Sequence, residues 1–335
     1  MQYKWINDVS EMSSDYTIIN FQEYFNQKIK PNTLPENLTT LIFGWFFNQG
    51  IEPNTLPDNI SSLIFGRNFN QKIEPNTLPK NLITLTFGFF FNEKIEPNIL
   101  PENLTTLIFG GKFNQKIEPN TLPENLTTLT FGRNFNQKIE PNTLPKILIT
   151  LTFGFYFNQK IEPNILPENL TTLIFGEKFN QKIEPNTLPK KLITLIFGDD
   201  FNQKIEPNTL PEKLTTLTFG RNFNQKIKPN ILPENFKIIN FNWIYLNKYD
   251  PIKHYIEMVN NIPNYYHVEI LLKNNIFGDD GLKWPIHVVD YIENGWSSEI
   301  YQIQDKYKHP IHGPITILIN KETYQPYSFS KSALK

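Results

Sequence analysis

Apolar and polar positions alternate along this chain on two scales. On the short scale, Thr39-Thr40-Leu41-Ile42-Phe43 is β-branched and aromatic, which predicts a strand with Leu41 and Phe43 on one face and Thr40 and Ile42 on the other. On the long scale the whole pattern recurs at a constant interval. Phe-Asn pairs begin at Phe25, Phe47, Phe69, Phe91, Phe113, Phe135, Phe157, Phe179, Phe201 and Phe223, a 22-residue period without one insertion or deletion. A fixed period of this size signals a stacked repeat array. Ten repeats begin within residues 25–234, and the pattern runs past each border. Ile19 and Phe21 fall one period before Leu41 and Phe43, and Ile239 and Phe241 fall one period after Leu217 and Phe219.

The first repeat opens, over residues 25–44, with FNQKIKPNTLPENLTTLIFG. Pro31 and Pro35 forbid a continuous helix, and Gly44 marks a place where the chain must turn. Pro31-Asn32 is a corner, because proline pre-sets its own φ and asparagine tolerates the next one. One strand and several corners make one coil. Its six apolar side chains, Phe25, Ile29, Leu34, Leu38, Leu41 and Phe43, are too few to offset the entropy of ordering the backbone of a whole repeat. Coils must therefore stack, sharing apolar faces and closing a parallel backbone ladder. The expected fold is a β-solenoid of ten 22-residue coils with one parallel strand per coil, plus a small C-terminal α+β domain or cap. Residues 1–24 form an N-terminal cap and half repeat, 25–241 the solenoid, and 242–335 the C-terminal part.

Composition narrows the class. The 335 residues are 39% hydrophobic with a formal net charge of −1, so bulk electrostatics do not direct the chain to nucleic acid. There is no cysteine, which excludes disulfides and thiolate metal sites and fits a reducing compartment. MQYKWINDVSEMSS has no apolar core of a leader, and no run has the length of a membrane span. The expected location is intracellular and cytoplasmic. Sequons beginning at Asn37, Asn59, Asn103, Asn125 and Asn169 read as by-products of the repeat.

Two columns call for separate reasons. Asn26, Asn48, Asn70, Asn92, Asn114, Asn136, Asn158, Asn180, Asn202 and Asn224 each follow a buried phenylalanine at a corner, and their side chains predict a ladder that satisfies backbone amides along the stack. The Lys and Glu of Gln-Lys-Ile-Glu-Pro read as a solvated face whose adjacent columns of opposite sign relieve like-charge stacking. Residues 69–134 and 135–200 are near-copies, so the array grew by three coils at a time. The pair after each strand nevertheless varies. It runs Trp45-Phe46, Arg67-Asn68, Phe89-Phe90, Gly111-Lys112, Arg133-Asn134, Phe155-Tyr156, Glu177-Lys178, Asp199-Asp200 and Arg221-Asn222. These side chains form a ridge rich in the aromatics and arginines that anchor interfaces. The alternative readings are drift on an exposed edge and packing beneath the C-terminal segment.

The repeating unit resembles the FNIP repeat, a 22-residue relative of the leucine-rich repeat known from social amoebae and amoeba-infecting giant viruses. The resemblance covers all ten copies. The family often has proline two residues after Phe-Asn, where this chain has Lys28, Lys72 or Lys116, and Gly50 once, so that corner is less rigid. The resemblance implies a curved, leucine-rich-repeat-like solenoid used for protein contacts, without catalytic residues, and a host-cytoplasmic site if the protein is viral. Some relatives carry an F-box before the repeats, which makes a ubiquitin-ligase adaptor an alternative. Here the lead-in, residues 1–24, is too short for that module.

Two further classes are weaker. A flat threonine array such as Thr84-Leu85-Thr86 and Thr128-Leu129-Thr130 has the geometry of an ice-binding surface, but isoleucine takes many of the second positions. A hydrolase-like site in residues 242–335 would draw on Asp279, Asp280, His287, Asp290, His309 and His312, although no recognised metal or nucleophile spacing is present. In that segment Tyr265 to Leu272 and Ile315 to Ile319 read as strands, with 320–323 turning into a further strand at 324–329. The sequence thus points to a non-enzymatic protein-interaction scaffold with a protein partner, no nucleic acid or membrane partner, and no metal or cofactor.

Overall fold

In the computed structural model, residues 3–11, 13–223, 225, 227 and 231–233 are described, together with the backbones of three later strands. The strands are β1 (Tyr3–Ile6), β2 (Ile18–Phe21), β3 (Thr40–Ile42), β4 (Ser62–Ile64), β5 (Thr84–Thr86), β6 (Thr106–Ile108), β7 (Thr128–Thr130), β8 (Thr150–Thr152), β9 (Thr172–Ile174), β10 (Thr194–Ile196), β11 (Thr216–Phe219), β12 (Ile238–Trp243), β13 (His267–Leu272) and β14 (Ile315–Ile319). They form one 14-stranded sheet in sequence order. Every pairing is parallel except β13 with β14. From β2 to β12 the register is the repeat period itself: Ile19 faces Leu41, Leu41 faces Leu63, and at the far end Leu217 faces Ile239. The continuations expected beyond each border are therefore strands of the same sheet. Before them β1 pairs with β2 through a shorter connection, Tyr3 facing Ile18, and Ile6 is fully buried.

Each coil is built as its residues dictate. Leu41 is buried between half-exposed Thr40 and Ile42, the two-residue alternation of a strand with one wet face. Phe25, Ile29, Leu34, Leu38, Leu41 and Phe43 are all in the core, as are their counterparts in the following coils. The Lys30-Pro31-Asn32-Thr33 corner is a type II turn: Asn32 has φ 63°, and the Thr33 N–H donates to the Lys30 carbonyl at 3.3 Å. The same asparagine conformation recurs from Asn54 to Asn208. Two corners follow the first, closed by the Leu38 N–H to Pro35 and the Phe47 N–H to Gly44.

Phenylalanines stack in two files along the interior. Within a coil, the ring at the strand end and the ring past the next corner lie face to face, as in Phe87 and Phe91 at 3.8 Å. Between coils, the strand-end file steps by 5.7 Å from Phe65 to Phe87, and the second file by 6.1 Å from Phe69 to Phe91. Paired strands lie about 4.8 Å apart. The spacing therefore widens away from the sheet, so the coils fan and the strand face is the inner side of a curve.

Glycine after each strand has a different reason from the one its position suggests. The sequence reads Gly44 as a residue freed to turn, but the structure makes it a point where backbones touch. A Cβ on Gly110 would lie 1.7 Å from the Gly88 carbonyl oxygen and 2.5 Å from its carbon. Only a missing side chain lets the coils close to ladder distance there. A second feature is the buried threonine after six of the Pro-Asn corners, Thr55, Thr77, Thr121, Thr143, Thr187 and Thr209. The hydroxyls of Thr55, Thr121, Thr143, Thr187 and Thr209 are buried with no hydrogen-bond partner, while Ile99 and Ile165 occupy the same column and pack against the core.

Gly110→Ala is expected to lower unfolding stability by about 3 kcal/mol or more in urea titrations. Gly50→Ala, where a Cβ meets nothing within 4 Å, serves as the neutral control. Equal midpoints for the two variants would remove the close-approach argument. Thr121→Val is expected to raise stability by about 1 kcal/mol, because it deletes an unpaired hydroxyl and keeps the shape. A fall would instead reveal a buried water held by that hydroxyl.

Candidate functional site

Beyond the second phenylalanine file, where the coils have splayed, side chains take over the inter-coil hydrogen bonds. The Asn48 N–H donates to Asn26 Oδ1 at 2.8 Å, Asn70 to Asn48 at 2.9 Å, Asn92 to Asn70 at 2.7 Å and Asn114 to Asn92 at 2.8 Å. The series continues through Asn136, Asn158, Asn180 and Asn202, each donating to the asparagine one coil earlier at 2.9 Å. Asn224 lies outside the described residues. Glutamines reinforce the file, as when Gln71 Nε2 donates to Asn48 Oδ1 at 3.1 Å. A second file is absent from the sequence reading: the side-chain amides of Asn59, Asn103, Asn125 and Asn169 donate to the Glu36, Lys80, Glu102 and Lys146 carbonyls of the preceding coils. These are four of the five sequon asparagines.

The variable ridge occupies the two central positions of the turn after each strand. Its backbone is committed. The N–H of the second residue donates to the carbonyl of the first residue one coil earlier, as in Asn68 to Trp45 at 2.9 Å, Lys112 to Phe89 at 2.7 Å and Tyr156 to Arg133 at 2.9 Å. From Trp45 to Tyr156 the side chains carry no share of this ladder and are free to differ. Trp45 and Phe46 are exposed by 47% and 41%, Phe90 by 41% and Tyr156 by 44%. Arg67, Lys112, Arg133, Lys178 and Arg221 are also exposed, while Asn68, Asp199 and Asp200 are half-buried.

Phe89 and Phe155 differ from the exposed pair that the sequence suggests, since both are half-buried. The Arg67 guanidinium lies between rings, 4.9 Å from Trp45 and 4.7 Å from Phe89, and Phe89 extends over Gly111, where a Cβ would lie 2.4 Å from the ring. Arg133 sits 4.3 Å from Phe155 and 5.6 Å from Tyr156. Lys112 and Lys178 lie 6.0 Å and 5.9 Å from Phe89 and Phe155, respectively. A three-coil unit of arginine, aromatic pair and lysine thus occurs twice. Tyr24 stacks on Phe46 at 5.2 Å and extends the ridge toward the first coil.

Past Tyr156 the ridge turns ionic. Asp199 pairs with Arg221, Lys178 Nζ meets Asp200 Oδ2 at 2.9 Å, and the Asp199 N–H donates to Glu177 Oε2 at 3.1 Å. Burial, with the neighbouring Asp199 carboxyl, pushes Glu177 above the usual glutamate range. Burial also acts on Asp199, but hydrogen bonds from Arg221 and Glu177 outweigh it and hold that carboxyl low. Among the described residues, no group of three or more histidine or acidic side chains is placed to hold a metal. His287, His309, His312, Asp279, Asp280 and Asp290 lie outside the described residues. No described helix is long and apolar enough to cross a membrane.

A family model described as the FNIP repeat matches in eight segments that together run from residue 17 to residue 242. The chain belongs to the FNIP repeat family. A solved structure is similar as well: CroV588, described as a circular leucine-rich-repeat protein, from the giant virus CroV. The identity is 39% and the TM-score 0.64, over 81% of this chain and 45% of that one. This chain thus spans less than half the length of that neighbour. No curated protein matches. FNIP solenoids share the architecture of leucine-rich repeats, which commonly serve as interaction scaffolds and are generally not enzymes.

The ionic end of the FNIP ridge yields a pH dependence. A folded-state pKa above the unfolded one means that Glu177 favours folding when protonated and loses that contribution as pH rises through its elevated pKa. Glu177→Gln is therefore expected to raise the melting temperature at pH 7, with the gain shrinking as pH falls through that elevated pKa and gone below the usual carboxylate range. Asp199→Asn is expected to act oppositely and destabilise at pH 7, since a lowered pKa contributes stability that is lost only in acid. Thermal melts of both variants across pH check the two signs together.

Proposed function

We propose that the protein is a non-catalytic interaction scaffold and that the turn ridge from Trp45 to Arg221 is its contact surface. The observation that carries this reading is a contrast within one coil. Core positions hold the same side-chain class in copy after copy, while the two ridge positions range from tryptophan to glycine to aspartate. Among the described residues, five of the nine exposed large hydrophobics, Tyr24, Trp45, Phe46, Phe90 and Tyr156, lie on this single edge. Exposed aromatics beside arginine are the composition of binding hot spots. The solenoid supplies rigidity, so a partner meets a surface already ordered and less entropy is lost on contact.

The quadruple variant Trp45→Ser, Phe46→Ser, Phe90→Ser, Tyr156→Ser tests the reading. Affinity capture from the native cell with quantitative mass spectrometry is expected to lose specific partners relative to the parent, while the thermal unfolding midpoint stays unchanged. Unaltered capture would place the contact surface elsewhere. Unfolding would show that these rings belong to the core.

A further inference from the structure

The cations of the ridge and of the Gln-Lys-Ile-Glu face fall into two groups. On the Gln-Lys-Ile-Glu face, lysines meet carboxylates: Lys72 with Glu74, Lys94 with Glu96, Lys116 with Glu118 and Lys160 with Glu162, all at 3.0–3.1 Å. At the far end of the ridge, Lys178 and Arg221 are taken by Asp200 and Asp199. Arg67, Lys112 and Arg133 stand apart. Among the described residues their charged groups touch only rings. No acidic residue occupies the ridge from Trp45 to Tyr156.

A guanidinium carries five N–H donors in one plane. Where a guanidinium stacks flat on a ring, the ring engages the face of that plane and its edge N–H groups stay available to an acceptor. The rings also hold the side chains in place, so an incoming acceptor costs less rotamer entropy. Arg67 and Arg133 are therefore oriented donors without acceptors, three coils apart, with Lys112 between them. The kind of anion is limited by the rest of the edge. Glu177, Asp199 and Asp200 follow on the same ridge and the chain as a whole carries −1, which opposes a long polyanion. A short acidic segment fits.

We propose that the ridge from Trp45 to Tyr156 binds an acidic, extended segment of a partner protein, whose carboxylates take the outer edges of Arg67 and Arg133. This deepens the scaffold reading and rests on it. Three coils span about 14 Å at strand spacing. An extended chain rises about 3.3 Å per residue and returns to the same side every second residue, so carboxylates four residues apart match the pair. Carboxylates two residues apart fall short. The N–H of the second residue of each ridge pair already donates to the preceding coil, so the proposed contact is carried by the side chains of Arg67 and Arg133.

The experiment is fluorescence anisotropy on the full chain with labelled 14-residue Ser/Pro-rich peptides carrying Glu at positions 5 and 9, Glu at 5 and 7, or Gln at 5 and 9. The first is expected to bind about tenfold more tightly than the others and to weaken with salt. Arg67→Gln and Arg133→Gln are each expected to weaken it about fivefold or more with unfolding curves unchanged, and Arg67→Lys to recover only part of the loss. Equal binding of the three peptides, or indifference to both arginine variants, overturns the proposal. So does tighter binding of an oligothymidylate of similar length, which assigns the ridge to nucleic acid. If partner capture fails in the aromatic variant but persists in Arg67→Gln/Arg133→Gln, the scaffold stands and the acidic partner falls. If capture is indifferent to both sets, both readings fall.

Discussion

Coil-to-coil contact at a single fixed register is the interaction on which the rest of this molecule depends. Leu41 pairs with Leu63 and Leu63 with Leu85, and the same offset holds to the end of the array. Each coil is too small to bury its own apolar side chains, so its interior is completed by its neighbours. The constraint is visible where it is most severe. Next to the strand, backbones meet at a distance that leaves no room for a Cβ. Farther round the coil the backbones separate, phenylalanine rings occupy the space, and asparagine amides span what direct backbone bonds no longer reach. Ladder, ring file and amide file are three answers to one widening gap.

Much of this is legible in the sequence because repetition turns weak local signals into strong ones. The strand at Thr40–Ile42, the burial of Leu41 and Phe43 and the Pro-Asn corner at Asn32 all follow from local chemistry, and ten copies remove the ambiguity that a three-residue strand would otherwise carry. The strands at His267–Leu272 and Ile315–Ile319 also lie within the segments the pattern marks, although β14 pairs with β13 and the later hairpin partner falls outside the described residues. What the sequence hides is inter-coil distance. A column of glycines looks alike whether it serves a turn or a backbone contact, and only the Gly88 carbonyl beside Gly110 decides between them. A threonine column likewise does not disclose that the hydroxyls of Thr55, Thr121, Thr143, Thr187 and Thr209 face no acceptor.

The candidate site divides in the same way. That the ridge positions are free to vary can be read from the variation itself, whereas the reason is structural: the inter-coil bond there joins the N–H of the second residue to the carbonyl of the first, whatever side chains the two carry. Pairwise chemistry along the ridge was out of reach of sequence, because Arg67 meets Trp45 and Phe89 only when successive coils become neighbours in space. The near-copy three coils later, with Arg133 against Phe155, shows that the arrangement travels with the repeat unit. Fold and surface are therefore separable. The core specifies the stack, and the edge records whatever the stack is used to hold.

The constancy of the register bears on how such a chain changes length. Any two coils are interchangeable at their boundaries, since each presents the same strand, glycine and phenylalanine to the next. Unequal crossing-over between repeats would therefore join two compatible halves wherever it falls in phase, and the products would be longer or shorter solenoids with no seam. Copy number becomes a heritable variable that selection can tune independently of foldability.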